Sequence, residues 1–150
     1  MLLIKVDRVG ERVFMDAINR HPDAAFRAVG RGMRRTGRGI HNAAARWLAG
    51  SRDNTGGFPV PTVTGHLARS LNWLAPGETK AAGGQSVRAG PMETVVYNTA
   101  RYADVVARGT HSSAKFGARD FLRAGLDDFN AGNRIAVILD EELSREWPGA

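Results

Sequence analysis

The 150-residue chain contains no cysteine, and that absence excludes several kinds of site. Disulfide bridges, thiolate metal ligands and cysteine nucleophiles all require a thiol. Long apolar runs are also missing, because the longest, at 135–139 and 1–4, are far shorter than the ~18 residues that a bilayer-spanning helix needs. The amino-terminal residues show neither the basic region nor the long apolar region of a secretory signal, so we expect a cytoplasmic protein.

The overall composition is that of a folded protein. Hydrophobic residues make up 43% of the chain and charged residues 24%, close to the averages for globular domains. No internal repeat and no shift in composition marks a boundary. We therefore expect residues 1–150 to form one domain.

The charge is unevenly distributed along the chain. Lysine and arginine together number 21 against 15 acidic residues, and 18 of the 21 are arginine. Residues 24–52 hold seven arginines and no acid, whereas residues 120–150 hold three bases and seven acids. This pattern is compatible with two interpretations: a basic face for nucleic acid, or opposite charges on two surfaces that meet when copies pack head to tail.

Hydrophobic spacing predicts the secondary structure of the amino-terminal half. Alternation at 2–7 indicates a short strand, and a helical pattern begins at Glu11. A second helix should begin near His21 and reach about residue 49, with four internal glycines that indicate close backbone approach or a kink. Its apolar stripe consists of Phe26, Val29, Met33, Ile40, Ala44 and Trp47.

Glycine pairs and alternating prolines at about 50–65 exclude a helix or a central strand there. We interpret this segment as an extended arm. Its side chains Phe58, Val60 and Val63 are too apolar for a solvated linker, so the arm is expected to lie on another surface, such as that of a partner.

The second half should contain a small antiparallel sheet between helices. A helical turn near 64–70 precedes strands at 71–74, 85–89 and 93–98, and the polar segment 77–84 is expected to be a loop tip. The remaining elements are a two-turn helix at 102–108, a loop at 109–117 and one long closing helix at 122–147, weakened near Gly132. The fold class is therefore α+β: long amino-terminal and carboxy-terminal helices packed on a meander of three or four strands.

Nucleotide-binding motifs are incomplete in this sequence. The spacing of Gly32 and Gly37 resembles a phosphate-binding loop, but Arg38 follows where that loop needs lysine. Arg35 stands where a dinucleotide fingerprint beginning at Gly30 needs its third glycine. We expect no nucleotide cofactor.

Other candidate chemistry is equally unsupported. Ser86 follows Gly84 by two residues, but Arg88 stands where a nucleophile elbow needs its second glycine. The histidines are at least 20 residues apart and do not share one helix face as metal ligands would. Those histidines are His21, His41, His66 and His111. A carboxy-terminal run of acids is more typical of a solvated helix face than of an acid–base pair. Its members are Asp127, Asp128, Asp140, Glu141 and Glu142. We expect no enzyme activity, no catalytic residue and no metal.

An arginine stripe is the clearest candidate for binding. Side chains at spacings of four, three, one and three share a helix face that could track phosphates. The stripe comprises Arg27, Arg31, Arg34, Arg35 and Arg38, of which the last four are the candidate phosphate-facing residues. The alternatives are intersubunit salt bridges and plain solvation. No aromatic residue interleaves for base stacking.

Three segments occur in an order and spacing that resemble a known family. They are PTVTGHLARSL at 61–71, YADVVARGT at 102–110 and FLRAGL at 121–126. Over most of the chain they resemble the tail-completion or neck proteins of tailed bacteriophages, the lambdoid minor tail protein Z type. That family often has an acid just before its Gly-Thr pair, whereas Ala107 and Arg108 stand here, so the acid's salt bridge is not carried over.

The resemblance implies a structural virion protein that forms a ring, expected to be sixfold, at the head–tail junction after assembly in the host cytoplasm. Its partners would be further copies, a tail terminator or tail tube protein, and a head connector or stopper protein. Nonspecific contact with DNA in the lumen is compatible with this role, and no membrane is implied. The expected subunit-interface residues are Phe58, Val60, Val63, Tyr102, Gly109, Thr110 and Phe116. The alternative function is a basic nucleic-acid-binding module.

Overall fold

A computed structural model describes residues 1–6, 19–48, 65–108 and 120–146. These ranges contain five strands and five helices, in an α+β arrangement as the sequence predicts. The strands are β1 (Leu2–Val6), β2 (Leu71–Leu74), β3 (Thr79–Ala82), β4 (Gln85–Arg88) and β5 (Thr94–Asn98). The helices are α1 (Pro22–Leu48), α2 (His66–Arg69), α3 (Ala103–Arg108), α4 (Phe121–Phe129) and α5 (Arg134–Glu146).

Several predictions lie outside the described residues. They are the helix beginning at Glu11, the arm up to residue 64 and the loop at 109–117. Six of the seven expected interface residues are also outside the described ranges: Phe58, Val60, Val63, Gly109, Thr110 and Phe116.

The sheet differs from the expected meander in its strand order. Its three antiparallel strands lie in the order β1-β5-β2, so the last strand in sequence is central and β1 is an edge strand. All five residues of β5 are buried, as expected for a central strand. Within the described ranges, strands β3 and β4 form a separate two-stranded sheet.

The loop expected at 77–84 is in part a strand. Residues Thr79–Ala82 form β3, and the turn to β4 is made by Gly83 and Gly84, with φ angles of 56° and 81°. Two consecutive positive φ angles are typical of the tight hairpin turn that matches strand twist. The prediction failed because the short, small and polar strand has no apolar alternation.

Helix α1 contacts the sheet as well as α4 and α5, and its predicted bounds are confirmed. The predicted stripe is buried from Val29 onward, but Phe26 is 43% exposed, contrary to the expectation that it faces the core. It lies in the second turn of the helix, close to its amino-terminal end.

Three of the four helix glycines permit close packing, as predicted. A Cβ at Gly32 would lie 2.6 Å from Leu139 of α5, and one at Gly37 would overlap Thr94 of β5. At Gly39, a Cβ would overlap the Phe129 ring. The glycines therefore allow α1 to approach three different elements closely.

The single carboxy-terminal helix that the sequence predicts is two helices. Helix α4 ends before Asn130, and α5 begins after Gly132 and Asn133, whose φ angles are 69° and 57°. Two residues in the left-handed region cannot continue a right-handed helix. The Asn130 side chain accepts a hydrogen bond from Ile135 N at 3.1 Å and so satisfies a donor in the first turn of α5.

Candidate functional site: the arginine face of helix α1

Five arginines occupy one side of α1, as the sequence spacing predicts. At about 100° per residue they share an arc of roughly 100° on the side away from the buried stripe. All five side chains are exposed: Arg27, Arg31, Arg34, Arg35 and Arg38. Helix α5 runs along one border of this arc, so the arginines fall into two groups. Arg27, Arg31 and Arg35 lie beside carboxylates of α5, and Arg34 and Arg38 do not.

The first group surrounds a buried carboxylate, whose only signal in the sequence is its spacing of four and three residues from Ile138 and Leu139. Glu142 of α5 is only 1% exposed. Its Oε2 accepts a hydrogen bond from Arg31 Nε at 2.9 Å, and its Oε1 accepts one from Arg35 Nη1 at 2.7 Å. Arg145 Nη1 donates a third at 3.0 Å. The expectation that this acidic run is simply solvated is therefore wrong for Glu142.

Two neighbouring carboxylates extend the network. Glu141 accepts from Arg35 Nη2 at 2.9 Å, while Glu146 lies 2.8 Å from Arg31 Nη1. Arg27 is a looser neighbour, with 3.6 Å between its Nη2 and Glu146. Three acidic residues of α5, Glu141, Glu142 and Glu146, thus lie against the arginines of α1.

The network shifts the pKa of its members. Burial raises the pKa of Glu142, but the hydrogen bonds from Arg31 and Arg35, together with the nearby positive charges of Arg145 and Arg31, outweigh burial and hold that pKa below its usual value of 4.5. The hydrogen bond to Glu142 is the main cause of the raised pKa of Arg31 and of Arg35. The carboxylate is therefore ionised at neutral pH and its partners are cations.

This pairing revises the interpretation of the polarised charge. The sequence left open that the basic and acidic segments meet between copies, or that Arg31 and Arg35 are simply solvated. In the structure these two arginines instead pair with acids of the same chain, more than 100 residues away in sequence. The opposite charges of α1 and α5 therefore do not by themselves require a second copy.

The second group consists of Arg34 and Arg38. Both are exposed, and neither forms an ion pair with another residue of the described ranges. One helical turn separates them. Of the four candidate phosphate-facing arginines, these two retain guanidinium groups that no described carboxylate neutralises.

The expected interface residue Tyr102 lies beside α3 and is 41% exposed. Its ring centroid is 5.9 Å from that of His66. The residue after it begins α3, where Val105 is 48% exposed. The amino group of Met1 lies 3.6 Å from Asp104, which brings the start of β1 to this helix.

Other candidate side chains have structural contacts or lie apart. Asp128 is exposed, as expected for a solvated acid, but it accepts a 2.5 Å hydrogen bond from Trp47 Nε1. Ser86 is exposed on β4. Across the four described ranges, no three histidine or acidic side chains come together as metal ligands would. None of the helices described combines the length and apolar content needed to cross a bilayer.

The described parts of the three segments that carry the phage-protein resemblance, 65–71, 102–108 and 121–126, converge in space. Leu67 and Leu71 from the first, Ala103 from the second, and Phe121 from the third belong to one buried cluster. Ile40, Ala44 and Trp47 of α1 complete its wall. These residues therefore build part of the core rather than an open pocket.

Comparison with protein-family models, with curated proteins and with solved structures finds no match to this chain.

Proposed function

We propose that this chain is a structural protein that forms a ring, expected to be sixfold, at the head–tail junction of a tailed bacteriophage. The observation that carries the proposal is the convergence of the three resembling segments in one buried cluster. The segments are separated by 30 and 10 residues in sequence, and the packing of their apolar side chains in one core is what we expect if the resemblance covers a single structural unit. The partners would be a tail terminator or tail tube protein and a head connector or stopper protein.

Exposed apolar side chains near the second segment support an assembly surface. Tyr102 and Val105 are 41% and 48% exposed, and Leu3 of the edge strand β1 is 39% exposed. The ion pair between Met1 and Asp104 places the start of β1 beside α3, next to Tyr102 and Val105. Apolar area of this kind is stabilised when a second surface covers it.

The oligomeric state tests the proposal. We would measure the mass of the purified protein by light scattering after size-exclusion chromatography, and label tailed particles of the source phage with antibody for electron microscopy. A closed ring, or label at the head–tail junction, supports the proposal. A monomer at every concentration, combined with no label on the particles, overturns it.

Two exposed valines provide a matched pair of variants for the assembly surface. Val105→Glu places a charge on α3, while Val137→Glu places the same charge on α5, where valine is 51% exposed. We expect Val105→Glu to convert rings to smaller species and Val137→Glu to leave them intact. The reverse result would move the interface away from α3.

A second candidate function is a basic nucleic-acid-binding module, and the unpaired Arg34 and Arg38 favour it. Phosphate contacts release counterions, so the logarithm of the binding constant should fall linearly with the logarithm of salt concentration. Titration of a DNA duplex at several salt concentrations measures that slope. A flat slope would reject this candidate.

A further inference from the structure

A groove of about 370 Å³ runs along the arginine face of α1. One side is helix and the other consists of two turns, one after β2 and one before β5. Its lining residues are Arg27, Gly30, Arg31, Arg34, Pro76 and Pro91. None of the six is acidic, and the groove is partly open to solvent.

The turns that form the far wall are tied together. Gly77 N donates to Gly90 O at 2.9 Å, and Ala89 N donates to Glu78 O at 2.9 Å. Next to Pro91, Met92 packs against the cluster that contains Val29 of α1. The wall is therefore held at a fixed distance from the helix.

Gly30 on the groove floor has no packing explanation. A Cβ built there has nothing within 4 Å, in contrast to those at Gly32, Gly37 and Gly39. Glycine inside a helix costs about 1 kcal/mol relative to alanine. Close approach to another element justifies that cost at the other three positions but not at Gly30. What Gly30 provides is empty space between arginines.

The charges around the groove favour an anion. Arg34 has no ion-pair partner within the described ranges, while Arg31 and Arg27 meet their carboxylates on the α5 side of the helix. The nearest acids on the turns are otherwise engaged: Glu78 accepts from Ala75 N at 2.8 Å. Glu93 accepts from Gly90 N at 3.3 Å and lies 3.6 Å from Lys5.

We propose that this groove binds a phosphate of a DNA backbone, with Arg34 as the main contact and Gly30 as the gap that admits the phosphate. An open groove accommodates a chain that continues past it, whereas a free anion is better held in an enclosed site. Arg38 lies one turn further along the same side and would meet the continuing backbone. The proposal names the surface that would carry out the second candidate function, nucleic-acid binding. The choice of DNA as the ligand rests on that function.

The experiment measures binding of a fluorescent DNA duplex by anisotropy at several salt concentrations. For Arg34→Gln we expect weaker binding and a salt slope reduced by about 0.9, the value for one lost phosphate contact. Arg46→Gln is the matched control, because it removes the same charge from an exposed position in the last turn of α1. Equal effects of the two variants would overturn the proposal, since they would indicate diffuse attraction only.

Gly30→Leu separates the groove from the total charge. It fills the gap without altering charge, and the open space at Gly30 means that the fold should tolerate it, which thermal unfolding followed by circular dichroism checks. We expect several-fold weaker DNA binding at an unchanged or higher melting temperature. Gly30→Ala is the milder variant should leucine lower stability.

Three results would contradict the proposal that this groove binds DNA. They differ in whether they also contradict the nucleic-acid-binding function. Unchanged DNA binding by Gly30→Leu overturns the groove but leaves the nucleic-acid function standing. No duplex binding by the wild-type protein at low salt overturns both. Thermal stabilisation by inorganic phosphate without duplex binding overturns the DNA assignment and replaces it with a small-anion site.

Discussion

The buried Glu142 carboxylate offers a sharp test of how the arginine face is held. We consider Glu142→Gln, which keeps the shape and one acceptor oxygen but removes the charge. The side chain is 1% exposed and accepts from three arginines at 2.7–3.0 Å. Hydrogen bonds to charged groups contribute about 1.5–3 kcal/mol each, and glutamine would turn an N–H group toward an arginine donor.

The arginines limit the loss, because they remain in partial contact with water. Arg31 and Arg35 are 43% and 42% exposed, so neither becomes a buried unpaired charge when Glu142 is neutralised. The cost should therefore lie below the 3–5 kcal/mol of a broken, fully buried pair. We expect the free energy of unfolding to fall by about 2 kcal/mol at neutral pH.

Urea denaturation at a series of pH values is the assay. The folded-state pKa of Glu142 is below its ordinary value of 4.5, so its stabilising contribution is fully present above that value. The contribution is lost as the pH falls through the folded-state pKa. The difference between the wild-type protein and Glu142→Gln should therefore shrink in acid.

Glu141→Gln is the matched control. Glu141 is the preceding residue on α5 but is 49% exposed and bonds to Arg35 alone. We expect it to change stability by about 0.5 kcal/mol or less, as for surface pairs. Equal effects of the two variants, or a Glu142→Gln difference that persists in acid, would refute the reasoning.

Four further variants test the packing of the helices and of the turn between α4 and α5 by denaturant unfolding. Thr36→Val should raise the free energy of unfolding by about 1 kcal/mol, because the Thr36 hydroxyl is fully buried and hydrogen bonds to nothing in the described ranges. A lower free energy of unfolding would instead indicate that the hydroxyl has a hydrogen-bond partner outside those ranges. Gly125→Ala should destabilise the fold by about 1–2 kcal/mol, since its Cβ would lie 2.7 Å from the backbone nitrogen of Ala44. Gly30→Ala is its control and should stabilise the fold by about 0.5–1 kcal/mol, because the space around that Cβ is open. Gly132→Ala should cost about 1 kcal/mol, because its φ of 69° is unfavourable for alanine; unchanged stability would indicate that the turn relaxes.

Local sequence signals predicted the elements that carry strong periodic patterns. Helix α1 was found to within one or two residues because its apolar stripe persists from Phe26 to Trp47, and β5 was found from its run of β-branched and aromatic residues. Strand β3 was missed because four residues of Thr, Lys and Ala carry no burial pattern. Its strand conformation depends on pairing with β4 across the Gly83–Gly84 turn.

The arginine site was only half predictable. Spacing alone placed the five arginines on one face, because helix geometry is local. Which of them are neutralised depends on where α5 lies, and that depends on a turn more than 80 residues away in sequence. Glu142 stands in a run of acids beside Glu141, and only helical spacing distinguishes the two: Glu142 follows Ile138 and Leu139 by four and three residues on the buried stripe of α5, whereas Glu141 lies off that stripe.

The interruption between α4 and α5 determines which carboxylates reach the arginines. If α5 kept its axis, each residue added to or removed from the stretch between the turn at 130–133 and Glu142 would move that carboxylate by about 100° around the helix. Rotation of that size would carry Glu142 away from Arg31 and present a different side chain to the basic helix. The position of Glu142 along α5, counted from this turn, therefore sets how much positive charge the protein shows to its surroundings.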